Sequence, residues 1–569
     1  MMTLAAIVVT SVVLGQAQAG GAQAPGQPQV FGAQRPPGRD AVPNAKGTGV
    51  LRGRILNAEG HPLRRVQIRL SGETIPEGRT ASTNTSGKWE IRDLPAGRFT
   101  LSATRAGYLN AVFGQKRFGE PGRPIELADA QALESLDFTL THNGVISGHV
   151  YDEAGEPLAG ANVMPLQMRF FNGRRRLTPT RGNTSTDDSG QYRIGSLEPG
   201  DYYIYVTSRE TWETEPPDVR TMGFMPTMYP AAISMSEAQR VRVKAGQEVA
   251  GIDIPLVPGR AATVAGTAVS SQGLPLAGEN VSMGIEIRGE QFSSFFGGSS
   301  TKVNPDGTFA FRNVAPGEYH LNVRVNPSDR PMEAANVIVS VTGADLDGVT
   351  IVTSAAGGVT GRVITEPGTP FPTALTRLLI RTLPVDRDTS MTFGAAIDSG
   401  RVKDDGSFDL KSVLGSNRLT VGPLPEGWAI RSIDQNGRDL ASQPFDTQGQ
   451  TLDGATVVLT NRFPTVTASL RDAQGAPADG VVVLFPEDST QWAEDLRLIR
   501  VGRPGQTGAV TLRAVRPGVY LAAALAAATT NELADPDFLE TLRTQARRVT
   551  ISEAEPAQVD LVVKAPEQR

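Results

Sequence analysis

Residues 186–204 read T-D-D-S-G-Q-Y-R-I-G-S-L-E-P-G-D-Y-Y-I, and this stretch decides the fold. Residues 187–190 predict a tight turn, because Asp and Ser side chains accept hydrogen bonds from nearby amides and glycine adopts positive φ. Tyr192 and Ile194 then alternate with polar residues, which is the period of a strand with one buried face. Pro199-Gly200 predicts a second turn, with positive φ at the glycine, before the alternation resumes.

The same pattern occurs four more times, at residues 83–101, 303–321, 403–421 and 505–521. The glycine of the first turn stands at positions 87, 190, 307, 406 and 508, so successive copies are 103, 117, 99 and 102 residues apart. This spacing is the size of one sandwich domain and is far longer than a solenoid unit of ~20–50 residues. The sequence therefore predicts five domains in tandem.

The fold class follows from the strand pattern. A strand with one apolar face needs a second sheet to cover that face. Many short strands joined by turns are typical of a sandwich, and the chain has 61 Gly and 40 Pro to form such turns. Residues 537–548 differ, because their apolar spacing is helical, with acids at the start and arginines at the end. We expect an all-β chain with one short helix near the C-terminus.

The first residues have the features of an export signal. Residues 4–14 are apolar but too short to span a bilayer, and small-x-small triplets follow at 17–19 and 22–24. An ordinary apolar terminus is the alternative, since no Lys or Arg precedes the run. The segments assigned are a signal peptide at 1–22, a disordered linker at 23–47, and sandwich repeats at 48–142, 143–258, 259–356, 357–461 and 462–569. We call the last five segments repeats one to five; repeat four is the most divergent.

Composition excludes several classes of protein. The net charge of −5 gives no basic surface for nucleic acid, so no nucleic-acid partner is expected. Cysteine is absent, which excludes disulfides, thiolate metal sites and cysteine nucleophiles. After the first residues no run reaches the ~18 apolar residues of a membrane span. We expect an extracytoplasmic protein that is secreted, periplasmic or on the cell surface, with no integral membrane span.

The motif G-x-V-x-D-x-x-G-x-P-L-x-G-A-x-V at 148–163, followed by D-x-x-G-x-Y-x-I-x-x-L-x-P-G-x-Y at 187–202, resembles the carboxypeptidase regulatory-like family. This family is also described as transthyretin-like or prealbumin-like and neighbours the Cna-type B domains. The resemblance implies five seven-stranded prealbumin-like (Ig-like) β-sandwich domains in an exported bacterial protein, each acting as an accessory or spacer. It implies no function, because the motif residues are turn and core positions.

No catalytic, cofactor or metal site is predicted. The four histidines, at 61, 142, 149 and 320, have no zinc-site spacing, and no nucleophile elbow, phosphate loop or dinucleotide fingerprint occurs. The Asp-rich turns at 187–190 and 404–406 offer oxygen ligands for Ca²⁺ but lack the closing Glu of a calcium loop. Isopeptide crosslinks of the Cna type are rejected, because no first strand carries a Lys. We therefore expect a non-enzyme without cofactors.

Aromatic residues outside the repeated pattern are the candidate ligand-binding residues. They are Trp212 and Tyr229 in the loop-rich stretch 208–236, Phe170 and Phe171 beside the arginines 174–176, and Trp492 in a polar segment of repeat five. Exposed rings of this kind could bind a polysaccharide; the alternative is that they cover the ends of the sandwiches. The three arginines read as a solvated loop or as a docking patch for an acidic partner.

The function expected is that of a non-catalytic exported binding or scaffold protein. One alternative is a carbohydrate-binding protein that uses the aromatics of repeat two. Another is a hydrolase accessory or peptidase-associated protein. The expected partners are a polysaccharide or an envelope protein, and the expected assembly is a monomeric extended array of domains.

Overall fold

A computed structural model describes residues 46–563, except 172–173, 290–291, 329, 372–374, 386–398, 426, 495–497, 506–507 and 554. These residues belong to one compact unit, 44–569. They form short strands joined by turns, as the period of two along the sequence requires. The all-β sandwich architecture predicted from the sequence is confirmed.

The first two repeats contain many short strands. Those of repeat one are Gly49–Asn57, Gln67–Gly72, Ile75–Ser82, Lys88–Leu94, Gly97–Thr104, Ala111–Val112, Ile125–Leu127, Ala132–Leu133 and Phe138–Leu140. Those of repeat two are Gly144–Tyr151, Asn162–Phe171, Arg174–Pro179, Thr184–Ser185, Gln191–Leu197, Gly200–Thr207, Thr211–Glu213, Thr221–Met225, Thr227–Met228, Val241–Val243, Glu248–Val249 and Ile254–Pro255. The next strand, Val257–Arg260, spans the boundary with repeat three.

The last three repeats follow the same plan. Those of repeat three are Ala262–Val269, Asn280–Gly289, Phe292–Lys302, Thr308–Val314, Gly317–Val325, Glu333–Val341, Leu346–Val352 and Ser354–Ala355. Those of repeat four are Gly357–Thr365, Leu379–Pro384, Ser399–Arg401, Ser407–Val413, Ser416–Gly422, Ala429–Gln435, Arg438–Asp439, Phe445–Asp446 and Thr451–Thr460, with a 3₁₀ turn at Leu375–Arg377. Those of repeat five are Val466–Arg471, Val481–Pro486, Arg500–Gly502, Ala509–Leu512, Gly518–Leu525, Arg547–Ile551 and Ala557–Val562.

Each repeat has two main sheets, and one of them has the same centre throughout; repeat two adds a third, three-stranded sheet formed by Thr211–Glu213, Thr221–Met225 and Val257–Arg260. The first strand lies between the strand that follows the first turn, to which it is antiparallel, and the last strand, to which it is parallel. In repeat five these three strands form one sheet and four strands form the other. Five hydrophobic clusters lie between such sheets, each within a single predicted repeat.

The repeated aromatic position lies in these cores. Trp89, Tyr192, Phe309 and Phe408 are all buried, and Val510 takes the equivalent place in repeat five. Burial of such rings is the main favourable term for a sandwich of this size. The assignment of Trp89 to the core rather than to a ligand platform is confirmed.

The first turn has the predicted chemistry. The Asp187 carboxylate accepts hydrogen bonds from the backbone N–H groups of Ser189 and Gln191, both at 2.9 Å. Gly190 follows with a φ of 70°, a conformation that glycine adopts without strain. Asn84 makes the same bonds in repeat one.

The second turn differs from the prediction. The left-handed residue is Ser196, with a φ of 61°, whereas Gly200 has a φ of 158° and begins the next strand. The cause is a β-bulge: Gly144 pairs with Leu197 and Ile146 pairs with Ile194, so one residue faces two across the ladder. The positive φ predicted at Gly200 is confirmed, but its value of 158° is far from the ~80° of a type II turn.

A second glycine position has a packing role. Gly148 lies in the middle of the first strand of repeat two, where an added Cβ would collide with the carbonyl oxygen of Ile252. The last strand passes over this glycine, and its pairing with the first strand is interrupted there. Equivalent glycines stand at the same place in repeats one, three and four, namely Gly53, Gly266 and Gly361.

Repeat five contains the predicted C-terminal helix. It spans Pro536–Arg543, is capped by the Asp535 side chain, and buries Leu539 and Leu542. It ends before the predicted residue 548, because Arg547–Ile551 pairs as a strand with Gly518–Leu525. Two other short helices among the described residues, Thr490–Glu494 and Thr530–Leu533, also belong to repeat five.

The extended array predicted from the sequence is wrong. Repeat five contacts repeats one and two, as the bonds from Arg503 to Gly114 and from Phe170 to Asn531 show. The physical reason is that its helices and the segment around Arg503 supply hydrogen-bonding groups that match loops of those repeats. Sequence periodicity carries no information about such long-range contacts.

Candidate functional site at the junction of repeats one, two and five

Trp492 does not form an exposed platform. It lies on the helix Thr490–Glu494, is 2% exposed, and packs edge-on against Phe485. Its indole N–H donates to the Pro486 carbonyl at 2.8 Å. The expectation of an exposed ring at this position is wrong, because the helical segments of repeat five cover it.

Trp212 and Tyr229 are half-buried against the core of repeat two. The Trp212 ring centroid lies 5.0 Å from that of Phe224, on the neighbouring strand. This packing favours the alternative in which the rings cover one end of the sandwich. A role for either residue in ligand binding stays a prediction.

Phe170 lies at a contact with repeat five rather than beside the other rings. Its backbone N–H donates to the Asn531 side chain at 3.0 Å. The Arg175 guanidinium lies over the Phe170 ring, 5.3 Å from its centroid, and pairs with Asp537 at 2.7 Å. The acidic group that meets Arg175 thus belongs to the same chain. Phe171 is in the same strand, and its side chain lies outside the described residues.

A buried arginine joins repeats one and five. The Arg503 side chain is 1% exposed, and its Nη1 donates to the carbonyl oxygens of Gly114 at 2.6 Å and Pro121 at 3.1 Å. Its Nη2 pairs with Asp479 at 3.2 Å. A buried guanidinium needs such partners, since burying an unpaired charge is costly.

Ion pairs from cations of repeat one to acids of repeat five extend this contact. Repeat one supplies Lys116, which lies 3.0 Å from Asp479, and Arg117, which lies 3.6 Å from Glu532. Burial of Asp479 opposes its ionisation, but Lys116 and Arg503 outweigh that effect and hold the pKa of this carboxyl below its ordinary value. The cations of repeat one and the acids of repeat five are therefore complementary.

Local capping fixes the part of repeat five that meets repeat one. The Thr529 hydroxyl accepts the N–H of Glu532, while the Glu532 carboxylate accepts the N–H of Thr529. This reciprocal box begins the helix Thr530–Leu533. The Thr530 N–H then donates to the Gly119 carbonyl of repeat one at 3.2 Å.

A cavity of about 770 Å³ lies where the three repeats meet. We call it the junction cavity. Its lining comes from three repeats: residues 109–111, 115–118, 139 and 141 of repeat one, residues 199–201 and 242–245 of repeat two, and Thr529 and Glu532 at the helix cap of repeat five. The charged side chains of the lining are Lys116, Arg117, Arg242, Lys244, Asp201 and Glu532.

The sequence did not indicate this site. Arg503 stands in a run of Gly, Pro and Arg that reads as an exposed loop, and its carbonyl partners have no sequence signature. The one available signal was the length of the Gly- and Arg-rich segment 113–123, which no strand pattern explains.

Across the part of the chain that the structure describes, no group of three or more His, Asp and Glu side chains is placed to hold a metal ion. Nor is any helix in that part long and apolar enough to cross a membrane.

The architecture is that of tandem β-sandwiches. The family model described as carboxypeptidase regulatory-like domain matches residues 50–141 and 145–257, which are repeats one and two. The family resemblance predicted from the sequence is confirmed for these two repeats.

Several solved structures are similar to the chain at low identity. The minor pilin GBS52 of Streptococcus agalactiae is 18% identical, with 37% of this chain and 95% of that chain covered and a TM-score of 0.21. A streptococcal ancillary pilin is 12% identical, with 54% and 98% covered and a TM-score of 0.18. The TIE protein of Bacillus anthracis is 13% identical, with 75% and 76% covered and a TM-score of 0.16. No curated protein matches the chain.

Proposed function

We propose that this protein is a non-catalytic exported scaffold, built of five sandwich domains, in which repeat five closes the array on repeats one and two. The observation that carries the proposal is the burial of Arg503 against backbone carbonyls of repeat one. Domains in one chain are expected to move relative to each other unless their interface restrains them. A guanidinium held by two carbonyls and a carboxylate is specific for one docking geometry.

The repeated residues support a structural role. The aromatic and glycine positions that define each repeat serve the core, the first turn and the close approach of strands. A scaffold needs these properties and no reactive group. Export is supported by the apolar run at residues 4–14 and the small-x-small triplets after it.

An engineered disulfide between repeats one and five tests, in the full chain, whether repeat five docks on repeat one. A Cβ built at Gly119 lies 3.7 Å from the Thr529 Cβ, and disulfides span roughly 3.5–4.5 Å between these atoms. The chain has no other cysteine. We expect the double variant Gly119→Cys/Thr529→Cys to form an intramolecular disulfide on mild oxidation, detected by mass spectrometry. Failure to crosslink while the strands remain folded would contradict the closure.

A matched pair of arginine variants tests the role of Arg503. In the double-cysteine background, Arg503→Ala should lower the crosslinking rate several-fold and increase the radius of gyration in small-angle scattering. Arg548→Ala is the control, because Arg548 pairs with Glu487 inside repeat five. If both variants crosslink at the same rate, Arg503 does not hold the repeats together.

Export has its own test. The full chain, expressed in a bacterial host and fractionated, should be recovered outside the cytoplasm with its N-terminus between residues 18 and 26, as read by mass spectrometry. Recovery in the cytoplasm with Met1 retained would contradict this part of the proposal.

A further inference from the structure

The junction cavity has two cationic walls. Loop 113–123 of repeat one contributes Lys116 and Arg117, and repeat two contributes Arg242 and Lys244. The volume of about 770 Å³ is in the range of small-ligand sites. The site is complete only when repeat five is docked, since Thr529 and Glu532 form part of its lining.

Both walls are fixed before any ligand arrives. Arg503 fixes loop 113–123 by donating hydrogen bonds to the Gly114 and Pro121 carbonyls. On the other wall, the Arg242 Nε donates to Asp201 at 2.8 Å, and the strand Val241–Val243 pairs with Gly200–Thr207. Cations that are already ordered lose little conformational entropy on binding.

The charges favour an anion. Four cations and two acids line the cavity. Three of the cations, Lys116, Arg117 and Arg242, already pair with Asp479, Glu120 and Asp201, so Lys244 is the cation that remains for a ligand. Among the residues that the structure describes, no ion pair involves Lys244. Arg117 and Arg242 each present a planar guanidinium, which suits a carboxylate better than a point charge does.

The remaining polar groups favour a ligand rich in hydroxyls. Asn110, Thr139 and Thr141 supply uncharged donors and acceptors in the lining, and Phe118 supplies one aromatic ring. The geometry points to the junction cavity as a binding site for an acidic oligosaccharide, with its carboxylates on the cations and its hydroxyls on the amide and threonine groups. This site lies apart from Trp212 and Tyr229, and it rests on the closure proposed above.

Isothermal titration of the full chain with trigalacturonate tests the inference. We expect saturable 1:1 binding that weakens as salt rises from 50 to 500 mM, since salt screens exposed charges. Lys244→Gln should weaken binding about tenfold, the loss of one charge-assisted hydrogen bond. Lys88→Gln is the matched control, because Lys88 is an exposed lysine of repeat one outside the lining, and it should bind as the unaltered chain does.

Four results would overturn the inference. These are no binding of trigalacturonate at millimolar concentration, equal affinity for neutral maltotriose, an unchanged affinity in Lys244→Gln, and equal or tighter binding of triglutamate. Crosslinking of Gly119→Cys/Thr529→Cys reports closure separately. Absent binding with crosslinking intact therefore removes the ligand site and leaves the scaffold proposal standing, whereas absent crosslinking removes both.

Discussion

Repeat two has Gly148 in the middle of its first strand, where repeat five has Ala468. Beside Gly148 the last strand is split into Glu248–Val249 and Ile254–Pro255, with the Ile252 carbonyl passing over the glycine. Beside Ala468 the last strand pairs without interruption from Val466 to Arg471. The two regions show that this glycine serves the close approach of a strand and has no role in a turn.

The core residue that packs beneath this glycine position also differs between repeats two and five. In repeat two the Tyr192 hydroxyl donates to the Ile252 carbonyl at 2.6 Å, whereas repeat five has the smaller Val510. Repeats one, three and four also combine a glycine with a ring at these two positions. A Cβ at Gly361, for example, would lie 2.7 Å from the Phe408 ring. A large ring and a glycine therefore occur together with a last strand that is split in repeats one and two and shifted in register in repeats three and four. Repeat five lacks the ring, the glycine and the irregular pairing.

The largest expected effect comes from exchanging these two residues. Gly148→Ala should destabilise repeat two by about 3 kcal/mol, because the new Cβ meets backbone rather than a movable side chain. Ala468→Gly should cost repeat five only about 1 kcal/mol, mainly in chain entropy. Hydrogen exchange of the full chain, followed by peptide mass spectrometry, resolves the two repeats. Equal losses of protection would show that the glycine is not needed for the split strand.

A smaller loss of stability is expected when the hydroxyl of the Tyr192 ring is removed. Tyr192→Phe removes the donor to the Ile252 carbonyl and should cost repeat two about 1 kcal/mol. Repeat three has Phe309, which lacks a hydroxyl, at the position equivalent to Tyr192. The same exchange experiment should show faster exchange in peptides around residue 252 and no change in repeat five. Unchanged exchange near residue 252 would mean that the hydroxyl adds nothing to the strand.

The smallest expected effect is on the stability of repeat two at acid pH. Hydrogen bonds from the Ser189 hydroxyl and the Gln191 amide hold the pKa of Asp187 below its ordinary value. A depressed pKa stabilises the fold above the unfolded pKa, and this contribution is lost as pH falls through the folded pKa. Repeat five has Gly505 at this place and no such carboxylate.

Asp187→Asn should therefore leave repeat two nearly unchanged at pH 7 and remove part of its loss of protection between pH 4 and pH 2. Peptides of repeat five provide the internal control in the same samples. An identical acid profile for the variant and the unaltered chain would show that Asp187 does not contribute to it.

The sequence predicted what depends on neighbours along the chain. Alternation and turn chemistry gave the sandwich class, the buried Trp89 and the Asp187 turn, because each depends on residues a few positions apart. The helix at Pro536–Arg543 was visible for the same reason. The bulge at Ser196 was not predicted, because serine itself has no strong preference for positive φ.

The candidate site was largely invisible in the sequence. Arg503 and Gly114 are 389 positions apart, and nothing local to either residue indicates the other. Trp492 was misplaced because its neighbours along the chain are polar, while the groups that bury it come from later helices. Contacts between repeats depend on surface complementarity, which a period of about 100 residues does not encode.

The contact of repeat five with repeats one and two has a consequence for how such a chain can change over evolutionary time. A row of domains joined only to its nearest neighbours can gain or lose a member by duplication or deletion without disturbing the others. Here an added member between repeats two and five would carry Arg503 away from the Gly114 and Pro121 carbonyls. Selection then acts on the number of domains, because a chain with another number would not place Arg503 beside these carbonyls.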